Sequence, residues 1–186
     1  MKPRVLMWVQ TRLGLGHFAR AMTICGSLAE QGFAVALAHG GAPIPSLPMP
    51  KDVVYIQLPI AHAPNLESSE ILDEEGRPID ETWRAKRIVV LKAAITEFKP
   101  DVFLTESFPL GRWLFAFELV PVLEWLGSLP VPPLVAASVR DIVTRPSKPK
   151  KIEAMMALAR NLYDLILCRS DETIVHLNDT FPETQA

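Results

Sequence analysis

His17 stands at the end of a glycine turn, in "GLGHFA", where an apolar run gives way to an amphipathic segment. Gly14, Gly16 and Ala19 spell G-x-G-x-x-A. A helix N-terminus presents unpaired N–H groups and a partial positive charge, and glycines there let a phosphate or carboxylate approach the backbone. The turn lies where a parallel strand would end, on the rim of the crevice in which open α/β sheets bind ligands. An imidazole at that rim can take or give a proton near neutrality. The competing reading of His17 is a helix-capping or surface histidine.

Other chemistries fit less well. Three fingerprint positions alone are a weak dinucleotide signal. The acidic residue that should hold a ribose about 20 residues further on is missing, because Ala38, His39, Gly40 and Gly41 occupy that place. No Gly-Lys-Ser/Thr follows the turn, so there is no P-loop. His17, His39, His62 and His176 are isolated, with no CxxC or HExxH, so no metal site is expected.

The elements that would position the turn are legible in the hydropathy pattern. Largely apolar segments at 5–9, 33–38, 53–58, 101–105, 134–139 and 165–168 read as strands, the uninterrupted run 5–9 as one covered on both faces. Phe18, Ala21, Met22, Cys25, Leu28 and Ala29 form one face of a helix that Gly32 ends. Asp80 is an acceptable N-cap for a helix carrying Ile88, Leu91, Ile95 and Phe98. "RWLFAFEL" and "PVLEWLGSL" read as two helical pieces, with Pro121 in the first turn of the second. Ile152, Met155, Met156, Ala159 and Leu162 mark another helix. The alternation specifies a Rossmann-like open α/β sheet, mainly parallel, of six or seven strands with helices on both faces.

Between these elements lie a proline-rich connection, "APIPSLPMPKD", and a long acidic one over 59–80 that carries Glu67, Glu70, Asp73, Glu74 and Glu75. The second reads as a solvated or functional loop. The 186 residues fit one domain, and 49% apolar content with mean hydropathy +0.19 supports a packed core. A net charge of −2 and pI near 6.1 give no basis for a nucleic-acid partner. Cys25 and Cys168 lie in apolar segments and are expected as buried thiols, which suits a reducing compartment. With no spanning segment and no signal-peptide pattern, the expected location is cytoplasmic.

The stretch "RVLMWVQTRLGLGHFARAMTICGSLAEQGFAVALAHGG" resembles the opening of GT-B nucleotide-sugar glycosyltransferases, in particular predicted glycosyltransferases related to the N-acetylglucosaminyltransferase that makes lipid II. "DVFLTESFPLGRWLFAFEL", "LVAASVRDI" and "YDLILCRSDETIVHLNDTFPE" are similar to the later strand ends of that group. The resemblance covers residues 4 to about 182. It implies that residues 1–186 form a single N-terminal, acceptor-side domain, one half of a GT-B fold, with the C-terminal donor-binding domain absent from this chain. The partner would be that domain or a separate chain, and the isolated chain is expected not to turn over.

The resemblance also implies residue roles. Gly14 and Gly16 would let the loop approach a donor pyrophosphate or an acceptor phosphate. His17 would face the acceptor hydroxyl as base or orienting group, with Glu106 as the second candidate base. Ser107, Arg112, Arg140 and Asp141 would open onto the same cleft and bind substrate or phosphate. Simple ion pairs of Glu106 with Arg112 or Arg140, or of Arg140 with Asp141, are the competing accounts. No metal or other cofactor is expected, since helix dipoles and side chains can offset a leaving diphosphate's charge. The implied reaction is sugar transfer from a nucleotide-diphosphate donor to a hydroxyl on a small-molecule or lipid-linked acceptor. The alternatives are a non-catalytic, acceptor-recruiting subunit of a split transferase and a nucleotide-dependent oxidoreductase. Arg145, Lys148, Lys150 and Lys151 offer peripheral contact with the inner face of a membrane, against the reading of a solvated loop. Trp113 to Phe117 reads as core rather than a lipid-facing patch, and self-association through an exposed half-cleft stays open.

Overall fold

The computed structural model describes residues 2–12, 14–65, 68, 70–140, 142–169, 171 and 173–185. Six strands form one parallel sheet: β1 (Arg4–Val9), β2 (Ala34–His39), β3 (Val53–Gln57), β4 (Val102–Glu106), β5 (Leu134–Arg140) and β6 (Leu165–Arg169). Their order is β3-β2-β1-β4-β5-β6. The chain starts in the middle and winds outward in both directions. The reversal falls between β1 and β4, so a crevice opens beyond their carboxyl ends.

Helix α1 (Gly16–Glu30) packs on one face of the sheet. Its buried Phe18, Ala21, Met22 and Cys25 meet Met7, Val9, Leu37 and Leu104. Burying side chains such as Phe18 and Met22 contributes ~1.5–3 kcal/mol each. Gly32, at φ +91°, ends the helix as the hydropathy pattern predicts, and Phe33 N–H then bonds Leu28 C=O at 3.1 Å. Helices α2 (Glu81–Phe98), α3 (Ala116–Gly127) and α4 (Pro149–Leu162) cover the other face. Asp80 caps α2 by accepting from Trp83 N–H at 2.7 Å. Among the described residues no helix is long and apolar enough to cross a membrane.

Three local expectations change. The segment expected as two helical pieces is a short 3-10 turn (Trp113–Phe115) followed by one helix, with Pro121 inside α3. Pro121 removes one donor from the helix ladder, and burial of Leu119, Val122, Leu123 and Leu126 outweighs that loss. The acidic connection is a folded excursion. His62, Leu72 and Pro78 form bridges, Ala61, Ala63 and Ile71 are buried, and Asp73 accepts from the Arg77 and Glu75 backbones; Glu67 lies outside the described residues. Cys25 is buried but Cys168 is exposed, because β6 is the sheet edge and is only partly covered. As its prolines predict, the connection between β2 and β3 carries no helix.

Candidate functional site

Glu106 closes β4, and its side chain is 0% exposed. The backbone then turns sharply, with Ser107 at φ 68° and Arg112 at φ 55°. Ser107 N–H extends the ladder by bonding Ser138 C=O at 2.9 Å. Across the reversal point, α1 brings His17 over the end of β4. His17 Nδ1 lies 2.7 Å from Glu106 Oε2, which also accepts from Ser107 Oγ at 2.8 Å. Oε1 faces Arg20 Nη1 at 3.3 Å and Arg169 Nη2 at 3.9 Å.

These contacts set protonation states. Burial pushes the Glu106 carboxyl up, but the hydrogen bond and charge of His17, the Ser107 hydroxyl and the charge of Arg112 together hold it below the usual range. An ionised carboxylate only accepts, so His17 Nδ1 is the donor, and in the neutral form of the ring the lone pair is on Nε2. No described residue hydrogen-bonds Nε2. The histidine does not cap α1, whose N-terminus has no side-chain cap. Nor is Ser107 placed as a relayed nucleophile. Its Oγ is 3.4 Å from Nδ1, the nitrogen already bound to Glu106.

His17 and Ser107 line a cavity of about 420 Å³ on the α4 side of the sheet edge, within the ~300–1,000 Å³ typical of small-molecule sites. Leu110, Trp113, Val139 and Met155 form its apolar wall, and Arg12, Arg112, Arg140 and Lys151 its basic rim. The Nε atoms of Arg12 and Arg112 are buried with no hydrogen-bond partner. Burial and the like charges of Arg12 and Arg20 lower the Arg112 pKa against the opposing pull of Glu106. A second groove, of about 370 Å³, shares Trp113 and Leu114 with this cavity and carries Ile71, Ile79, Arg84 and Phe117.

The structure thus brings His17, Glu106, Ser107, Arg112 and Arg140 to one rim. Arg140 does not pair with Glu106, and Asp141 lies outside the described residues. Gly14 takes φ +79°, which explains a glycine there. At Gly16 a Cβ would meet nothing within 4 Å, so the chain itself makes no steric demand for glycine. Lys151 sits over the Trp113 ring at 6.0 Å, and Arg145 pairs with Glu183.

Sequence reasoning missed Arg12, Arg20 and Arg169. Arg20 lies one helical turn after His17, and Arg169 is in register with Arg140 at the same sheet edge. The rule that picked the ends of β4 and β5 finds Arg169 when applied to β6.

At the end of β2 the place for a ribose-binding acid is filled from within. His39 is buried, bonded to Thr11 Oγ1 and the Tyr55 hydroxyl at 3.0 Å each, and lies against Phe18. The buried Arg87 passes beside Gly40, where a Cβ would stand 2.1 Å from its Nη2. Among the described residues no group of three or more His, Cys, Asp or Glu side chains could hold a metal ion.

No protein-family model matches the chain, and no curated protein matches it in sequence. Among solved structures it is similar to MurG of Acinetobacter baumannii, with a TM-score of 0.51 at 12% identity over 92% of this chain. It is also similar to UDP-N-acetylglucosamine 2-epimerase of Rickettsia bellii, with a TM-score of 0.53 at 11% identity over 100% of this chain. The chain spans 42% of the length of each of those proteins. The six-stranded parallel sheet, its reversal between β1 and β4 and these likenesses give the chain the fold of one Rossmann-like half of a GT-B protein.

Proposed function

We propose that this chain is the acceptor-side half of a glycosyltransferase that moves a sugar from a nucleotide-diphosphate donor to an acceptor hydroxyl. The observation that carries the reading is the His17–Glu106 pair at the mouth of the basic cavity. Glu106 fixes the tautomer in which His17 Nε2 can accept a proton. An acceptor held in the cavity places its hydroxyl at Nε2. Its oxygen attacks the anomeric carbon, the bond from that carbon to the diphosphate oxygen breaks, and the electron pair leaves with the nucleoside diphosphate. The proton passes to Nε2, and the ionised Glu106 offsets the imidazolium charge. Arg12, Arg112 and Arg140 suit an acceptor bearing a phosphate or carboxylate. The donor-binding half is a second domain or a partner chain. The name of the Rickettsia protein, a UDP-N-acetylglucosamine epimerase, supports a nucleotide sugar as the donor class.

The reading is tested by purifying the native assembly through a tag on this chain and assaying transfer of labelled sugar from a panel of UDP- and GDP-sugars. Transfer that His17→Ala abolishes is the expected result. Transfer unchanged by His17→Ala would leave this chain as a non-catalytic acceptor-recruiting subunit. Tight NAD binding without any sugar transfer would favour the oxidoreductase reading.

A further inference from the structure

Arg20 and Arg169 do not line the 420 Å³ cavity, but they adjoin residues that do: Arg20 is one turn after His17 and Arg169 is in register with Arg140. Glu106 is in register with Ser138, and Ser138 with Leu167, so Arg169, two residues beyond Leu167, shares their face. Arg169 Nε donates to Ser138 Oγ at 2.9 Å on that face, where α1 also carries Arg20. Arg140 shares that face and lines the cavity, so Arg20 and Arg169 extend its basic rim past the His17–Glu106 pair.

Among the described residues the charges here do not balance. Glu106 is the one described carboxylate in ion-pair range of Arg20 and Arg169. Its other oxygen is taken by His17 and Ser107, and Arg112 draws on the same charge. Arg169 Nη2 is buried without a hydrogen-bond partner, at 3.9 Å from Oε1. Both side chains are partly exposed, at 28% and 32%. The adjoining part of β6, Leu165 and Leu167, is also exposed.

We propose that Arg20 and Arg169 form an anion site for the diphosphate of a nucleotide-linked sugar, adjoining the acceptor cavity. A doubly charged phosphate group bridging the two guanidiniums supplies negative charge, and their fork geometry fits its oxygens. The uncapped N-terminus of α1 adds to the same field. Identifying the anion as the donor's diphosphate rests on the transferase reading; the anion site itself does not. In that reaction the arginines face the oxygen that gains charge as the sugar–oxygen bond breaks, and they offset it as it develops.

The test uses the 186-residue chain and inorganic pyrophosphate at low salt. Nitrogen-15 NMR of the arginine Nε–H groups is expected to show pyrophosphate-dependent shifts at Arg20 and Arg169 and none at Arg4 or Arg84. By calorimetry, Arg20→Gln/Arg169→Gln weakens binding by about tenfold or more, whereas Arg112→Gln weakens it far less. Shifts confined to Arg12 and Arg112, binding unchanged in the double variant, or no binding by the unaltered chain would overturn the site. The NMR arm decides the matter even if the double variant misfolds. If the site is overturned, the transferase reading still stands on His17-dependent transfer. Pyrophosphate bound at Arg20 and Arg169 in an assembly that transfers no sugar keeps the site and removes the transferase reading.

Discussion

His17 Nδ1 and Glu106 Oε2 are 2.7 Å apart across 89 residues of sequence, joined only where the sheet order reverses. The carboxylate is fully buried and the imidazole is at the cavity mouth, so their roles differ. Glu106 is the positioning residue and His17 the base. In the tag-purified assembly, His17→Ala lowers kcat by ~10²–10⁴. Glu106→Gln lowers kcat by about tenfold or more with little change in KM, since the amide can still accept from Nδ1 but cannot offset the imidazolium. An equal rise in KM with kcat intact would mean that Glu106 shapes binding instead.

The sequence made the six strands legible because each is an apolar run bounded by glycine, proline or polar residues. It also made His17 legible, because strand, turn and helix adjoin along the chain. Distant pairings left no local mark. Arg87 is not part of the apolar stripe of Ile88, Leu91, Ile95 and Phe98, yet it is buried against Glu118. Cys168 reads as core, because an edge strand has the same composition as a central one. Pro121 reads as a helix start, and packing of α3 overrode that local preference.

Arg87 and Glu118 are both 0% exposed and bonded to one another. Arg87 also donates to Gln10 Oε1 and to Pro59 C=O, and Trp8 Nε1 donates to Glu118. Removing one partner strands a buried charge. Glu118→Leu is expected to cost ~3–5 kcal/mol, and Arg87→Met/Glu118→Leu much less than twice that. Gly40→Ala pushes a methyl into Arg87 and Gln10 and costs ~1–3 kcal/mol. Urea unfolding of the three variants measures this; additive losses in the double variant would show that the two residues act independently.

The two thiols differ in reach. Cys25 is fully buried, and burial pushes its thiol up to about 12, whereas Cys168 is exposed on β6. Ellman's reagent is expected to modify Cys168 rapidly in the native chain and Cys25 only on unfolding. Cys168→Ser abolishes the fast phase. A fast phase that survives this substitution would place Cys25 in an element that opens readily.

His39 supplies a pH signature separate from that of the carboxylates. Burial, with the charge of Arg87 added, lowers it from 6.5 to about 4 in the folded chain. The unfolded chain therefore binds a proton below pH 6.5 that the folded chain refuses until about pH 4. Stability is unaffected by His39 above pH 6.5 and falls as pH drops through that window, by about 3 kcal/mol in total. Glu106, whose folded pKa is depressed, keeps its contribution until lower pH, since that is lost only below its unfolded value of 4.5 and through its folded one. Urea melts between pH 7 and pH 4.5 isolate the histidine. His39→Asn is expected to lower stability at pH 7, because the contacts with Tyr55, Thr11 and Phe18 are altered, while flattening the decline toward pH 4.5. An undiminished slope in the variant would assign the acid sensitivity to a different histidine.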